Sequence, residues 1–302
     1  MEPVLTEAAR ADVATAASSS PDSPSPRPST TAREKEQRLV AWLAARRSVI
    51  LGFSGGVDSA YLAWVALEAL GPARVLAVIG RSPSYPDAQW DAARTLAAQF
   101  GIPVLEVTTH EMLDPRYVAN PSNRCYFCKT ELWSVLRVVA DERGFDTIVD
   151  GTNADDMHDW RPGLQAAREH EVESPLADLG FTKDEIRALS RARGLPTWSQ
   201  PSSPCLSSRL PYGSAVTIER LRQVERAEAA LRALGVDGDL RVRHHGDLAR
   251  VELSADRLEA WLAAPNLRAL TGAVRGAGFA RVAVDLKGFR SGSLTVLGAA
   301  GV

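Results

Sequence analysis

The chain has 302 residues, 45% hydrophobic and 24% charged, the balance of a globular protein long enough to bury a substantial core. Lys and Arg number 35 against 37 Asp and Glu, a formal net charge of -2, so no global basic field argues for a nucleic-acid partner. No apolar run approaches the roughly 18 to 20 residues that span a bilayer, and the N-terminus lacks an apolar signal core, which together point to a cytoplasmic protein with no membrane partner.

Residues 1–33 carry Ser18-Ser19-Ser20-Pro21, Ser23-Pro24-Ser25-Pro26 and Arg27-Pro28-Ser29. Such a tract buries too little apolar surface to offset its ordering entropy, and it reads as a disordered tail. Order is expected from Glu34, where Leu39, Leu43 and Ala44 follow a helical period. Val49-Ile50-Leu51-Gly52-Phe53 reads as a buried strand, followed by a Gly-rich turn and a helix over 59–70. Further strands are expected at 75–79, 104–108 and 147–150, with helices over 87–100 and 129–142. This alternation specifies an α/β fold, a parallel sheet covered by helices on both faces. Beyond 212 the texture changes to a charged helix over 218–234 ending at Gly235, strands at 240–243 and 249–253, a helix near 255–262 and a last strand near 282–286. The expected organisation is a tail (1–33), an α/β domain (34–212) and a smaller α+β domain (213–302), with the boundary near Pro211-Tyr212-Gly213.

Ser54-Gly55-Gly56-Val57-Asp58-Ser59 sits between the first strand and the first helix of the sheet. Two glycines allow close approach of the backbone to a ligand, and a helix N-terminus attracts anions, so the segment reads as a phosphate cradle. It is not a Walker A loop, because no G-x-x-x-x-G-K-[ST] is present. S-G-G-x-D-S after an apolar strand resembles the PP-loop ATP pyrophosphatases, which cleave ATP between its α and β phosphates and activate a substrate as an adenylate. That makes Ser54, Gly55, Gly56, Asp58 and Ser59 the expected ATP-binding residues, with Asp58 orienting the loop or helping to hold Mg²⁺. A Gly-Gly-Asp turn with no ligand is the bland alternative.

The three cysteines are Cys125 and Cys128, in a C-x-x-C, and Cys205 in Pro204-Cys205-Leu206-Ser207-Ser208-Arg209. A C-x-x-C fits a redox pair, half a zinc site or part of an iron–sulfur site, and buried inert thiols are the remaining option. Three thiolates suit a [4Fe-4S] cluster with one iron left open for a transferable sulfur.

In chain order, the phosphate loop is followed by Asn123-Arg124-Cys125-Tyr126-Phe127-Cys128-Lys129 and by Asp150-Gly151-Thr152-Asn153-Ala154-Asp155-Asp156. Then come Arg161-Pro162-Gly163-Leu164, Ser174-Pro175-Leu176, a run from Pro204 to Gly213 and a closing stretch from Asp285 to Ser293. Over residues 35–295 the chain resembles the LarE family, sulfur transferases that build the nickel-pincer nucleotide cofactor. The resemblance implies a small nucleotide substrate, pyridinium-3,5-biscarboxylic acid mononucleotide, whose carboxylates are adenylated with ATP and Mg²⁺ and then converted to thiocarboxylates. Some members of the family sacrifice the sulfur of a cysteine at the Cys205 position, whereas others hold a [4Fe-4S] cluster on three cysteines. Cys125, Cys128 and Cys205 match the second pattern, and nothing in the sequence names the sulfur donor.

Arg241 and Arg243 alternate on one face of a strand, either gripping a phosphate, as the family's paired arginines do, or lying solvated on the surface. Ser208 and Arg209, just after Cys205, are candidates for substrate or phosphate binding. Glu228, by rough alignment with an acidic position of the family, is a candidate metal carboxylate, against the reading of a solvated helical Glu. Asp155 and Asp156 either line the nucleotide pocket or cap the next segment. His244 and His245 read as an exposed pair. The 213–302 domain is expected to serve substrate binding or assembly into a homo-oligomer. The rival readings are a PP-loop tRNA thiolase, which the near-neutral charge disfavours, an amidating enzyme of the GMP- or NAD-synthetase type, which has no use for three cysteines, and a non-catalytic nucleotide sensor.

Overall fold

The computed structural model describes residues 28–158, 161–201 and 203–290. Most of the Ser/Pro tract, and Ser291 to Ser293 of the closing stretch, lie outside the described residues. The first helix, α1 (Thr30–Ala44), starts ahead of the expected Glu34, because the Ser29 hydroxyl accepts from Ala32 N at 3.0 Å and caps it.

β1 (Val49–Gly52), α2 (Val57–Leu70), β2 (Val75–Arg81), α3 (Asp87–Phe100) and β3 (Val104–Thr108) make two successive crossovers. α4 (Pro115–Val118) and α5 (Arg124–Arg143) lead into β4 (Thr147–Val149). The four strands pair in parallel in the order β3-β2-β1-β4, with Leu51 opposite Ala77 on one side and Val149 on the other. Side chains along a strand alternate faces, and the core divides accordingly. Val49, Leu51, Ala77, Ile79 and Val149 pack with α1, α2 and α3, while Ile50, Leu76, Val78 and Ile148 pack against Trp133 and Leu136 of α5. Both faces are therefore buried, which explains the nearly continuous apolar runs of β1 and β2. Chain order reverses at β1, so the carboxyl ends of β1 and β4 border the crevice where open α/β sheets receive ligands.

After β4 come α6 (Pro162–Glu169), α7 (Pro175–Asp178) and α8 (Lys183–Ala192). The charged helix α9 (Ile218–Ala233) precedes β5 (Leu240–His245), β6 (Leu248–Leu253), α10 (Leu258–Leu262), α11 (Ala264–Gly276) and β7 (Arg281–Val284). β5 and β6 are antiparallel and β7 joins β6 in parallel, a small second sheet. Its core takes in Tyr117, Leu206 and Leu210, which precede residue 212 in the chain. α6, α8 and α11 are not among the expected elements, and α5 begins at Arg124 rather than 129, so the C-x-x-C lies in the first turn of a helix.

Candidate functional site

The segment 54–59 leaves the carboxyl end of β1 and opens α2. Gly55 has φ +68°, and a Cβ there would stand 2.6 Å from the Cβ of Ala93, so the turn requires glycine. Gly56 is the N-cap of α2 and contributes no side-chain cap, leaving the first amides of the helix facing the loop. The Ser59 hydroxyl accepts from Ser54 N at 3.3 Å and donates to Gly56 O at 3.2 Å, which closes the cradle. From outside, the Tyr85 hydroxyl and Gln89 Nε2 donate to the Ser54 carbonyl at 2.8 and 2.9 Å.

The loop after β4 is the facing wall. A Cβ on Gly151 would stand 2.9 Å from Ser59 N, so this backbone runs against the start of α2. Asp150 accepts from Thr152 N (3.0 Å), Thr152 Oγ1 (2.8 Å) and Ser174 Oγ (2.8 Å), which fixes the turn. Asn153 Nδ2 donates to one oxygen of Asp58 at 3.4 Å, and the Lys183 ammonium ion-pairs with the other. Lys183 is delivered by the N-terminus of α8, set by a capping box between Thr182 and Glu185, and its amide donates to Asp155 Oδ2 at 2.8 Å. Asp156 pairs with Arg161 at 2.7 Å, and burial pushes its carboxyl above the usual range. Asp155 thus holds the first amide of α8, while Asp156 accepts from Asn153 N at 3.2 Å and pairs with Arg161. Lys183 is a cation at the phosphate loop that sequence reasoning missed; the T-x-x-E box that fixes it was the available signal.

The sulfur side is organised by Arg124, a buried residue at the start of α5 that donates to Asn120 Oδ1 and to Ser207 O (3.0 Å). Asn120 Nδ2 in turn donates to Pro211 O (2.8 Å) and Ser214 O (2.9 Å), and the hydroxyls of Tyr117 and Ser207 share a 2.7 Å bond. These bonds fasten the segment after Cys205 to the first turn of α5. Cys125 and Cys128, three apart in a helix, share a face. Cys128 and Cys205 are half-buried and Cys125 is exposed. Burial, and then the charges of Glu111 and Cys205, push the Cys128 thiol up. Although the Cys125 residue is exposed, its thiol is also raised, by desolvation first and the Cys205 charge second. The three thiols are therefore electrostatic neighbours. Among the described residues, no group of three or more His, Cys, Asp or Glu is arranged to hold a metal ion, and no helix is long and apolar enough to cross a membrane.

The second sheet braces the same segment. Arg209 is buried, forms a bidentate pair with Glu228 (both contacts 2.9 Å), and donates to Pro204 O (2.5 Å), Cys205 O (3.1 Å) and Ser208 Oγ (3.1 Å). Glu228 also accepts from Val242 N at 2.9 Å, so it is neither a solvated helical Glu nor an open carboxylate but the partner of Arg209. Arg243 pairs with the fully buried Glu252 at 2.8 Å and donates to Ser208 O at 2.9 Å. Arg241 is buried over the ring of Phe289, and burial followed by the charge of Arg209 pushes it down to about 10. The solvated-arginine alternative is thereby corrected: both arginines are inside, because β5 turns this face toward the 204–209 segment. The expected exposed histidine pair is also corrected. His244 is buried, with Nε2 3.1 Å from Gln223 Oε1 and its ring edge-on to Phe279, and His245 is half-buried.

Residues 37–123 match the NAD synthase family model. An uncharacterised protein of Synechocystis is 44% identical over 245 residues, covering 81% of this chain and 91% of that one. A pyridinium-3,5-bisthiocarboxylic acid mononucleotide synthase of Lactiplantibacillus plantarum is 36% identical over 264 residues, covering 87% of this chain and 95% of that protein. The chain belongs to the LarE family. It is accordingly an enzyme, a sulfurtransferase built on a PP-loop nucleotide-binding fold. A glutamine-hydrolysing GMP synthase of Streptococcus pyogenes is 28% identical over 64% of this chain and 41% of its own length, a more partial kinship.

Proposed function

We propose that this enzyme uses ATP to adenylate the carboxylates of pyridinium-3,5-biscarboxylic acid mononucleotide and converts them to thiocarboxylates; the Lactiplantibacillus relative is a synthase of the corresponding bisthiocarboxylic acid mononucleotide. The observation that carries the reading is the gathering of three thiols, Cys125 and Cys128 on α5 and Cys205 on a segment bonded both to Arg124 and, through Ser84 and Tyr85, to the phosphate loop. A carboxylate is a poor electrophile; an acyl adenylate has a good leaving group.

In this reading the amides of residues 54–59 and the α2 N-terminus hold the phosphates of ATP, and Lys183 leaves Asp58 to meet their developing charge. Asp58 then becomes available to Mg²⁺, a hard cation that takes carboxylate and phosphate oxygens. Glu228 joins such a site only by releasing Arg209, which would then turn to substrate. Arg241 and Arg243, with Ser208 and Arg209, form the positive floor for the substrate phosphate. Cys205 lies where sulfur enters. The donor set of three thiols on two tied segments fits a [4Fe-4S] cluster held by Cys125, Cys128 and Cys205. Such a cluster, when bound, would supply an open iron for a transferable sulfur. Burial works against the charge of Arg124, but Cys205 and Cys125, together with Tyr117 and Tyr212, raise its proton affinity, so a cation stands beside the thiols. We place the enzyme in the cytoplasm and assign residues 213–302 to substrate binding and assembly between copies.

The test is anaerobic purification followed by iron and acid-labile sulfide analysis. The expected result is about four of each per chain, lost in Cys128→Ala. A Cys128→Ala enzyme that stays loaded and active would overturn the cluster assignment. No iron, together with loss of the mass of H₂S from Cys205 after reaction, would assign the sulfur to the cysteine itself.

A further inference from the structure

One dipeptide touches both halves of the site. Ser84 and Tyr85 lie in the turn after β2, closed by Tyr85 N donating to Ser82 O at 3.1 Å. The Tyr85 hydroxyl donates to the carbonyl of Ser54, the first residue of the phosphate loop, at 2.8 Å. The Ser84 carbonyl accepts from Leu206 N, the amide next to Cys205, at 2.8 Å. The dipeptide is anchored from beneath: the Ser84 hydroxyl donates to Glu111 at 3.2 Å and shares a 2.8 Å bond with the Ser82 hydroxyl. Ser84 and Glu111 are both buried, so this anchor is shielded from competing water. Adjacent residues on a fixed base therefore set the interval between loop and thiol segment.

The proposed reaction needs that interval held through two steps. First, a substrate carboxylate oxygen bonds to the α-phosphorus, and pyrophosphate leaves with the electrons of the broken α–β bond. Second, a sulfur nucleophile bonds to the acyl carbon, and AMP leaves with the electrons of the broken C–O bond. The acyl adenylate is made at the loop and consumed at the thiols. A displacement of about 1 Å between them costs on the order of 10²-fold in the second step and exposes the intermediate to water.

We propose that Ser84-Tyr85 is a spacer that holds the phosphate loop and the Cys205 segment in register, which makes Tyr85 a positioning residue for acyl transfer to sulfur; the assignment rests on the adenylation reading above. Gln89 provides the internal comparison. It donates to the same Ser54 carbonyl at 2.9 Å but stands on α3, away from the Ser84 carbonyl that holds Leu206. Loosening the loop through Gln89 disturbs ATP binding alone, whereas loosening it through Tyr85 also releases the register.

The experiment measures pyrophosphate and thiocarboxylate formed in the same single turnover, with ATP and pyridinium-3,5-biscarboxylic acid mononucleotide as reactants. Tyr85→Phe keeps the ring and removes the donor; it is expected to lower thiocarboxylate per pyrophosphate about tenfold, with the difference appearing as hydrolysed adenylate. Gln89→Met is expected to raise the KM for ATP and keep the parental ratio. Ser84→Ala, which frees the dipeptide from Glu111, gives an independent reading and should lower the ratio as Tyr85→Phe does. Thermal melting of each variant checks that the fold is kept. A parental ratio in both Tyr85→Phe and Ser84→Ala, or an equal fall in Gln89→Met, overturns the spacer. Absence of pyrophosphate from the parent enzyme would instead overturn the adenylation reading, and the spacer with it.

Discussion

Lys183 sits at the phosphate loop because of where its helix begins. The capping box at Thr182 and Glu185 starts α8 where its first side chain reaches Asp58, and the pair is partly exposed, at 33% for the lysine and 18% for the aspartate. An exposed ion pair of this kind contributes little to stability, about 0 to 1 kcal/mol. A triphosphate arriving at the loop is a stronger partner for the same ammonium. Lys183→Met is therefore expected to leave the melting temperature nearly unchanged while kcat/KM for ATP falls about 10²-fold, with partial recovery in Lys183→Arg. Pyrophosphate release at varied ATP is the measurement; an unchanged kcat/KM would reduce the lysine to a cap on Asp58. The contrast with residues 54–59 explains what the sequence could show at this scale. Those residues are contiguous and lie in a strand–loop–helix context, so the motif carries its own geometry. Lys183, Tyr85 and Glu111 are common residue types brought in from distant segments, and only the fold reveals their aim.

At the scale of elements, β1 and β2 were legible because both of their faces are buried and their runs are nearly continuously apolar. The start of α5 was not, because Arg124-Cys125 carries no apolar period, and Asn123, though a residue type that caps helices, makes no side-chain cap bond here. What begins the helix is tertiary: buried Arg124 satisfies Asn120 Oδ1 and the Ser207 carbonyl. Removing the guanidinium leaves Asn120 Oδ1 buried without its donor and takes one of two donors from the Ser207 carbonyl, which keeps Leu210 N at 3.1 Å. Arg124→Met is expected to cost about 2 to 3 kcal/mol in urea unfolding and to speed alkylation of Cys205, since the segment behind it is released. Unchanged stability with unchanged alkylation would show that the segment is held by Arg209 and the second sheet alone.

For the whole molecule, a net charge of -2 conceals strong local separation, with buried Arg209, Arg241 and Arg243 gathered at the small sheet, Arg209 paired with half-buried Glu228 and Arg243 with buried Glu252. Composition averages this away, which is why the histidines of β5 read as an exposed pair, and its arginines as either phosphate ligands or a solvated pair, until the fold placed them. The same burial gives the molecule an acid sensitivity. Burial, and next the positive charge of Arg220, holds His244 below its ordinary value of 6.5, and His245 is lowered by burial and by Arg250. A histidine with a depressed folded-state pKa takes its proton more readily in the unfolded chain. Its contribution to stability is complete above the unfolded value and is lost as pH falls through that value toward the folded one. Carboxylates with ordinary values near 4 contribute little between about pH 7.5 and about pH 5.5, so the histidines dominate that window. The melting temperature is expected to fall across it, and His244→Asn, which keeps a polar partner for Gln223 without the titration, to flatten the slope. Scanning calorimetry of both proteins over this range decides the matter: parallel slopes would assign the acid sensitivity to other groups, and a flatter variant assigns it to the buried ring against Phe279.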